Sequence, residues 1–286
     1  MAQSPAHKFG QIIGDTLEVA LEPILREFAA ANGLFLDKKG PRPARPGMKV
    51  TWIDNNGNSH DLDYVLERGG SPQARGTPVA FIETAWRRYT KHSRNKAQEI
   101  QGAVIPLSQK YASINPFLGA VLAGVFTDGS ISQLRSLGFR VLYFPYDLVV
   151  QAFGRAGLSA DHDEATPDAH IAQRVREWDR MPTYRRGLAA QALVDLNARE
   201  IQAFMDALAT FVSRRVVSVA VFPLHGVIHH SSSLEEAARF IRAYQSESSA
   251  MPLARFEVEI GFSNGDHVRG SFQNKDTALS FLTTFP

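Results

Sequence analysis

Carboxylates with the spacing of a metal site occur between residues 61 and 83. Asp61 and Asp63 alternate along a predicted strand, so their side chains are expected to leave the same face of it. Glu83 ends the next predicted strand, directly after the apolar run Val79 to Ile82. Carboxylates that face one another across adjacent strands repel unless a cation neutralises them, and hard oxygen ligands select Mg²⁺ or Mn²⁺. The spacing therefore predicts a divalent-metal site.

A purely structural role explains Asp61 well, but it explains Asp63 and Glu83 less well. Asp61 follows His60 close to a predicted turn, so it has an equally good interpretation as a turn-end residue. Asp63 lies inside the apolar run Leu62 to Leu66, where an unpaired carboxylate would be costly to bury. Glu83 has the same kind of apolar surroundings. The sequence therefore favours Asp63 and Glu83 as functional residues.

Basic residues follow Glu83 directly, and a second basic cluster precedes the carboxylates. Six bases and a single acid, Glu99, lie between residues 84 and 110; the bases are Arg87, Arg88, Lys91, Arg94, Lys96 and Lys110. Five bases and no acid lie between residues 38 and 49, namely Lys38, Lys39, Arg42, Arg45 and Lys49. In a chain with a formal net charge of only +2, such clusters indicate a bound polyanion, or else a solvated charged surface.

Carboxylates, a divalent metal and a basic stretch together fit one reaction well. A bound ion lowers the pKa of its water and offsets charge on a phosphate, which is the basis of metal-assisted phosphodiester hydrolysis. The chain contains no cysteine, which excludes disulfides and thiolate metal sites and fits a reducing cytoplasm. It has no apolar run long enough for a membrane span, and no G-x-x-x-x-G-K-[ST] segment for a nucleotide cofactor.

The hydrophobic periodicity predicts an α/β fold with a mixed central sheet and flanking helices in the first half of the chain. The predicted helices cover 9–31, 95–111, 132–137 and 148–155. The predicted strands cover 48–54, 60–67, 78–86, 117–126 and 139–144, the first three as a meander. After an acidic linker at 161–168, helices are expected to about residue 213. Two β-β-α units then predict a small α+β domain, giving boundaries at 1–160, 161–213 and 214–286.

This order of elements, with an acid on the second strand and a glutamate ending the third, resembles the PD-(D/E)xK superfamily of restriction-endonuclease-like nucleases over roughly residues 9 to 155. The resemblance places Asp63 and Glu83 as catalytic metal ligands, with Glu18 of the first helix as a weaker third ligand. The motif lysine is replaced by Ala85, which has no amine to orient a water. Some members supply this amine from the following helix, where Lys96 is the favoured candidate and Lys91 and Arg87 are alternatives.

The resemblance implies a Mg²⁺-dependent DNA endonuclease, with Mn²⁺ able to substitute, in restriction or foreign-DNA defence. Arg87, Arg88, Lys91 and Arg94 would contact the phosphate backbone of the DNA. Cutting both strands of a duplex would call for a homodimer, since one active site cleaves one strand. Two alternatives stay open: a nuclease fold that has lost its chemistry at Ala85 and only binds nucleic acid, and a nuclease directed at RNA.

Overall fold

The computed structural model describes residues 4–89, 93–224, 226–245 and 253–285 of the chain. It divides into two compact units, one of Met1–Lys110 and Phe117–Ala207 and the other of Tyr111–Pro116 and Leu208–Pro286. No helix of the described residues is long and apolar enough to cross a membrane. Each unit has its own sheet and is described separately.

A five-stranded mixed sheet forms the centre of the first unit, as the sequence predicted. Its strands, in spatial order, are β1 (Leu34–Lys38), β4 (Tyr64–Arg68), β5 (Thr77–Arg87), β6 (Phe117–Gly124) and β7 (Arg140–Pro145). The first two pairings are antiparallel, whereas β5, β6 and β7 run parallel. The central strand β5 is apolar and buried over most of its length, as expected for a strand covered on both faces.

Helices flank this sheet and bury its apolar residues. They are α1 (Pro5–Ala31), α2 (Ser93–Lys110), α3 (Asp128–Ser136), α4 (Tyr146–Arg155), α5 (Asp168–Arg180), α6 (Thr183–Leu196) and α7 (Ala198–Val212). Helix α1 begins where the Ser4 hydroxyl accepts a hydrogen bond from the backbone N–H of His7. Phe9, Ile13 and Leu17 share one stripe of α1 and are almost fully buried. The segment 161–213, expected as a connector, contributes α5, α6 and most of α7 to the first unit.

The predicted three-strand meander is wrong in its first strand. The segment expected at 48–54 forms β2 (Val50–Ile53), which pairs only with β3 (Ser59–Leu62) in a separate two-stranded hairpin. The strand that borders β4 is instead β1, which the sequence analysis missed. The expected strand 60–67 is interrupted at Asp63, because its first half pairs with β2 and its second half with β1 and β5.

A buried ion-pair network excludes Arg42 and Arg45 of the basic cluster at 38–49 from binding a polyanion. The guanidinium of Arg42 binds Glu67 through two contacts of 2.5 and 2.9 Å and also lies 2.7 Å from Asp37. Arg45 binds the same Asp37 at 3.1 Å, and all four side chains are buried. The strands β1 and β4 supply the two acids, so the arginines hold the 40–47 segment against the edge of the sheet and are withdrawn from solvent.

We expect Arg42→Met to lower the free energy of unfolding by about 3–5 kcal/mol, because it leaves the buried Glu67 and part of Asp37 without a counter-charge. The matched control is Arg26→Met, which removes a 2.5 Å pair with Glu22 on the exposed side of α1 and should cost under about 1 kcal/mol. Urea denaturation followed by circular dichroism measures both. Equal, small losses in the two variants would show that the buried network contributes no more than a surface pair.

The second unit contains a four-stranded antiparallel sheet with two helices, in agreement with the predicted small α+β domain. Its elements are β8 (Val216–Pro223), β9 (His229–Ser231), α8 (Leu234–Ala243), β10 (Phe256–Phe262), β11 (His267–Phe272) and α9 (Lys275–Leu282). The strand order is β11-β10-β8-β9. Alternate residues Phe256, Val258 and Ile260 of the central strand β10 face the helices and are fully buried.

Candidate functional site

Asp63 and Glu83 lie together where β3 passes into β4 beside the end of β5. The backbone N–H of Asp63 donates a hydrogen bond of 3.1 Å to Oε1 of Glu83. Thr84 donates two bonds of 2.7 Å to Oδ2 of Asp63, one from its backbone N–H and one from its hydroxyl. These described bonds engage one oxygen of each carboxylate, so Oδ1 of Asp63 and Oε2 of Glu83 are the candidate metal-ligand atoms.

The electrostatics of this pair are those of a site that favours a cation. The pKa of Glu83, which is 7% exposed, is raised to about 8. Burial is the main cause and the neighbouring Asp63 adds to the shift, while Lys96 opposes it. Burial also raises the pKa of Glu18 to about 7, with added repulsion from Asp63 and Asp15. Three carboxylates therefore interact unfavourably when ionised, and a bound divalent cation would relieve that repulsion.

A cleft of about 720 Å³ opens beside the carboxylates. One wall is the face of α1 that carries Glu18, and the other is formed by the end of β5 and the start of α2. Residues of the cleft with a predicted role are Glu18, Asp63, Arg87, Arg88 and Lys96. The hydroxyl of Tyr64 donates to the backbone carbonyl of Glu18 at 3.0 Å and so fixes the position of α1 against the strand that follows Asp63.

Among the described residues, Asp63 and Glu83 fit Mg²⁺ as two ligands, without a third carboxylate grouped with them. Within the described part of the chain, no three His, Cys, Asp or Glu side chains are close enough to hold one ion together, so Glu18 is not gathered with the pair into a three-ligand set. Mg²⁺ retains several waters and is commonly held by only one or two protein carboxylates. Asp63 and Glu83 would hold the ion, and Glu18 would act through water or through its charge.

The amine candidate Lys96 lies in the first turns of α2 and lines the same cleft. Its Nζ atom is 3.1 Å from Oε2 of Glu99, and its side chain is only 22% exposed. Its charge lowers the pKa of Glu83, which places the amine within electrostatic range of the pair. Ala85, at the position of the motif lysine, also lines the cleft and is 5% exposed. Lys96 and Asp63 thus line the same cleft.

The four predicted phosphate contacts differ in their surroundings. Arg87 lines the cleft, and its guanidinium lies 3.5 Å from Glu99. Arg88 also lines the cleft, but its guanidinium stacks 3.9 Å from the Tyr146 ring and donates to the backbone carbonyl of His162, so it is held within the fold. Arg94 is exposed on α2, and Lys91 lies outside the described residues. Of the three described arginines, Arg87 and Arg94 are better placed than Arg88 to contact a ligand.

Asp61 does not share a strand face with Asp63, contrary to the sequence argument. It lies on the exposed β2–β3 hairpin, where it accepts bonds of 2.6 Å from Lys49 and from the Thr51 hydroxyl. These bonds lower the pKa of its carboxyl group. The break in the predicted strand at Asp63 is the reason, since residues on either side of it belong to different sheets. Asp61 is therefore a hairpin residue.

Two residues of the site were missed from the sequence. Thr84 orients Asp63, yet a threonine in a strand is ordinary and gave no signal. His162, placed in the expected acidic linker, is 7% exposed and exchanges backbone hydrogen bonds with the Tyr146 hydroxyl. Burial lowers the pKa of its imidazole, so this residue anchors the loop behind Arg88 as a neutral packing group. A histidine in a polar linker carries no pattern that would predict its burial.

The raised pKa of Glu83 predicts how the metal-free protein responds to pH. Between about pH 4.5 and pH 8, Glu83 stays protonated in the folded protein but is ionised in the unfolded chain. The free energy of unfolding should therefore fall as the pH rises through this range. Glu83→Gln should remove much of the fall and stabilise the protein by a few kcal/mol at about pH 8, but little at about pH 4.5. Urea denaturation in EDTA at both pH values measures this, with the exposed Glu27→Gln as control. A wild-type stability that rises across this range would contradict the assignment.

Comparisons with known proteins leave the family open. No family model matches the chain, and no curated protein matches it. Among solved structures, the crystal structure of a protein of unknown function, AF1548, aligns with 70% of this chain and 99% of that chain. The identity is 9% and the TM-score is 0.28, values too low to support an inference about fold or function.

Proposed function

We propose that this protein is a Mg²⁺-dependent DNA endonuclease with a restriction-endonuclease-like core. The observation that carries the proposal is the contact between Asp63 and Glu83 at the border of a cleft that Asp63 and Lys96 both line. Two adjacent carboxylates with a nearby amine have the charges required to hold a metal ion and a phosphate together. A role in restriction or foreign-DNA defence, and a homodimer that cuts both strands, are parts of the proposal that rest on the family resemblance.

The roles of the residues follow from their positions. Asp63 and Glu83 hold the ion, while Thr84 keeps the Asp63 carboxylate oriented through its two hydrogen bonds. When bound, the ion supplies a water of lowered pKa and offsets charge on the scissile phosphate. Lys96 orients the attacking water or stabilises the developing charge, since its amine has three donors on a flexible stem. Arg87 and Arg94 bind backbone phosphates.

Cleavage of supercoiled plasmid with Mg²⁺ or Mn²⁺, compared with EDTA, tests the proposed activity. Metal-dependent nicking or linearisation is expected, and methylated and unmethylated plasmids together report sensitivity to base modification. Mn²⁺ should also raise the melting temperature of the protein, because an ion that binds only the folded state stabilises it by mass action. An unchanged melting temperature, together with intact plasmid under every metal, would overturn the proposal.

The second candidate is a nucleic-acid-binding module without catalysis, and Ala85 is the observation that favours it. Under this alternative the protein binds DNA, with an affinity that falls as salt increases, but leaves the strand intact. An RNA-directed nuclease would instead cleave RNA of the same sequence in preference to DNA. Parallel cleavage and binding assays on both nucleic acids distinguish these outcomes.

A further inference from the structure

An aromatic surface lies in the cleft that Asp63 and Glu18 line. Trp86 is two residues beyond Thr84, so the two side chains leave the same face of β5, and the indole lines the cleft. The indole is half-buried, whereas Trp52 and Trp178 are 4% and 8% exposed. The Tyr146 ring lies 6.2 Å away at a tilt of 32° and holds the indole from behind the strand end. A tryptophan thus presents part of its surface to the cleft that Asp63 lines.

The opposite wall of the cleft lacks a side chain at two positions of α1. Gly10, Gly14 and Glu18 recur every four residues on α1 and all line the cleft. A Cβ atom at Gly10 would lie 3.5 Å from the Trp86 ring, whereas a Cβ atom at Gly14 would meet nothing within 4 Å. Glycine inside a helix is destabilising relative to alanine, so the fold gains no stability from these two residues. Gly14 leaves open space in the cleft beside Glu18, and Gly10 lies close to the edge of the indole.

The chemistry around this space matches a nucleotide. A flat aromatic ring stacks on any base, because every base has a π-face, and each stacked base commonly tightens binding by about tenfold or more. Arg87 and Lys96 supply positive charge for a phosphate at the same cleft. The volume of about 720 Å³ falls within the range that encloses small organic ligands. A paired base inside a duplex cannot offer its face to the indole without leaving the stack.

We propose that the cleft binds one unpaired nucleotide of a single strand, with the base stacked on Trp86 and its phosphate directed towards Arg87 and Lys96. The cleavage of that strand rests on the proposed function, but the binding of the unpaired base does not. Duplex DNA would then be processed only where a strand end, a gap or a flipped base supplies an unpaired nucleotide.

Tryptophan fluorescence in EDTA tests the binding without cleavage. Because the other two tryptophans are buried, quenching by a ligand should come from Trp86. A short single-stranded DNA and RNA of the same sequence should both quench, and at least one should bind about tenfold more tightly than the matching duplex and an abasic strand. Trp86→Phe should lose the quenching but keep most of the affinity measured by anisotropy of a labelled strand, whereas Trp86→Leu should lose about tenfold or more.

A pair of glycine variants tests the open space independently. Gly14→Leu places a side chain in the cleft and should reduce single-strand binding by at least about tenfold, while the helix itself gains propensity. Gly102→Leu is the matched control, because Gly102 is an exposed glycine inside α2, has nothing within 4 Å of its Cβ position and does not line the cleft. It should bind as the wild type does. Melting curves of both variants verify that they are folded.

The outcomes separate this inference from the proposed function. Tight duplex binding with no effect of Trp86→Leu or Gly14→Leu overturns the unpaired-nucleotide site, even if the protein cleaves plasmid with Mg²⁺. Single-strand binding that depends on Trp86, without cleavage of any strand under any metal, supports the site and overturns the nuclease. Equal binding of the abasic strand and the normal strand also overturns the site, since it would leave only phosphate recognition.

Discussion

Asp63→Asn and Glu83→Gln are each expected to reduce metal-dependent cleavage by about 10³-fold or more while leaving the protein folded. Both substitutions are nearly isosteric, and each removes one of the two charges that would hold the ion, so the several kcal/mol of transition-state stabilisation supplied by the metal is lost. Each variant should also lose the rise in melting temperature that Mn²⁺ produces in the wild type. Initial rates of plasmid cleavage, measured with increasing Mg²⁺, give the size of the effect.

The control for this experiment is Asp61→Asn. Asp61 is two residues from Asp63, but its carboxylate is exposed on the hairpin and bound to Lys49 and Thr51. Its neutralisation should leave the cleavage rate within about twofold of the wild type, since surface pairs contribute little. Wild-type cleavage by Asp63→Asn or by Glu83→Gln would mean that the active site is elsewhere.

Lys96→Ala should abolish single-turnover cleavage at saturating Mg²⁺ while DNA binding and the effect of Mn²⁺ on melting remain. The reason is that Lys96 would act on the attacking water and the transition state, with a small share in ground-state affinity. A loss of about 10²–10³-fold is expected for one transition-state donor. Lys110→Ala, at the other end of α2 and outside the cleft, removes the same charge and should cleave normally.

A lysine returned to the motif position provides a second test of the same idea. Residues 83 and 85 leave the same face of β5, and Ala85 borders the cleft, so Ala85→Lys in the Lys96→Ala background should recover part of the lost rate. Full activity of Lys96→Ala alone would contradict the migrated amine, and Arg87 would then be the next residue to change. A wild-type protein that binds DNA but never cuts it would identify Ala85 as the mark of an inactive enzyme.

The pattern of the sequence determined most of the secondary structure. Helix α1 follows from an apolar stripe at helical spacing, and β6 follows from a continuous apolar run typical of a strand covered on both faces. The break at Met181 and Pro182 separates α5 from α6 as expected. The two β-β-α units of the second half were also predicted correctly, because turns and alternating strands are local features.

Pairing between strands was decided by the tertiary structure. The sequence could not show that β1 displaces the 48–54 segment from the edge of the central sheet, because both are short and only half-buried. The same choice interrupts the strand at Asp63 and separates Asp61 from it. Register depends on which partner buries more apolar surface and satisfies more backbone groups, and that comparison involves residues far apart in the chain.

For the candidate site, the sequence by itself determined which residues could do chemistry, and the tertiary structure decided which of them meet. Asp63 and Glu83 stand out locally because carboxylates inside apolar runs are costly to bury. Only the folded chain shows that Thr84 orients Asp63, that Lys96 lines the same cleft as Asp63, and that Arg42 is paired with Glu67. The charge of a side chain is a property of its residue type, but its partner depends on packing across the whole unit. For this reason, the two basic clusters look alike in the sequence and have different surroundings in the structure.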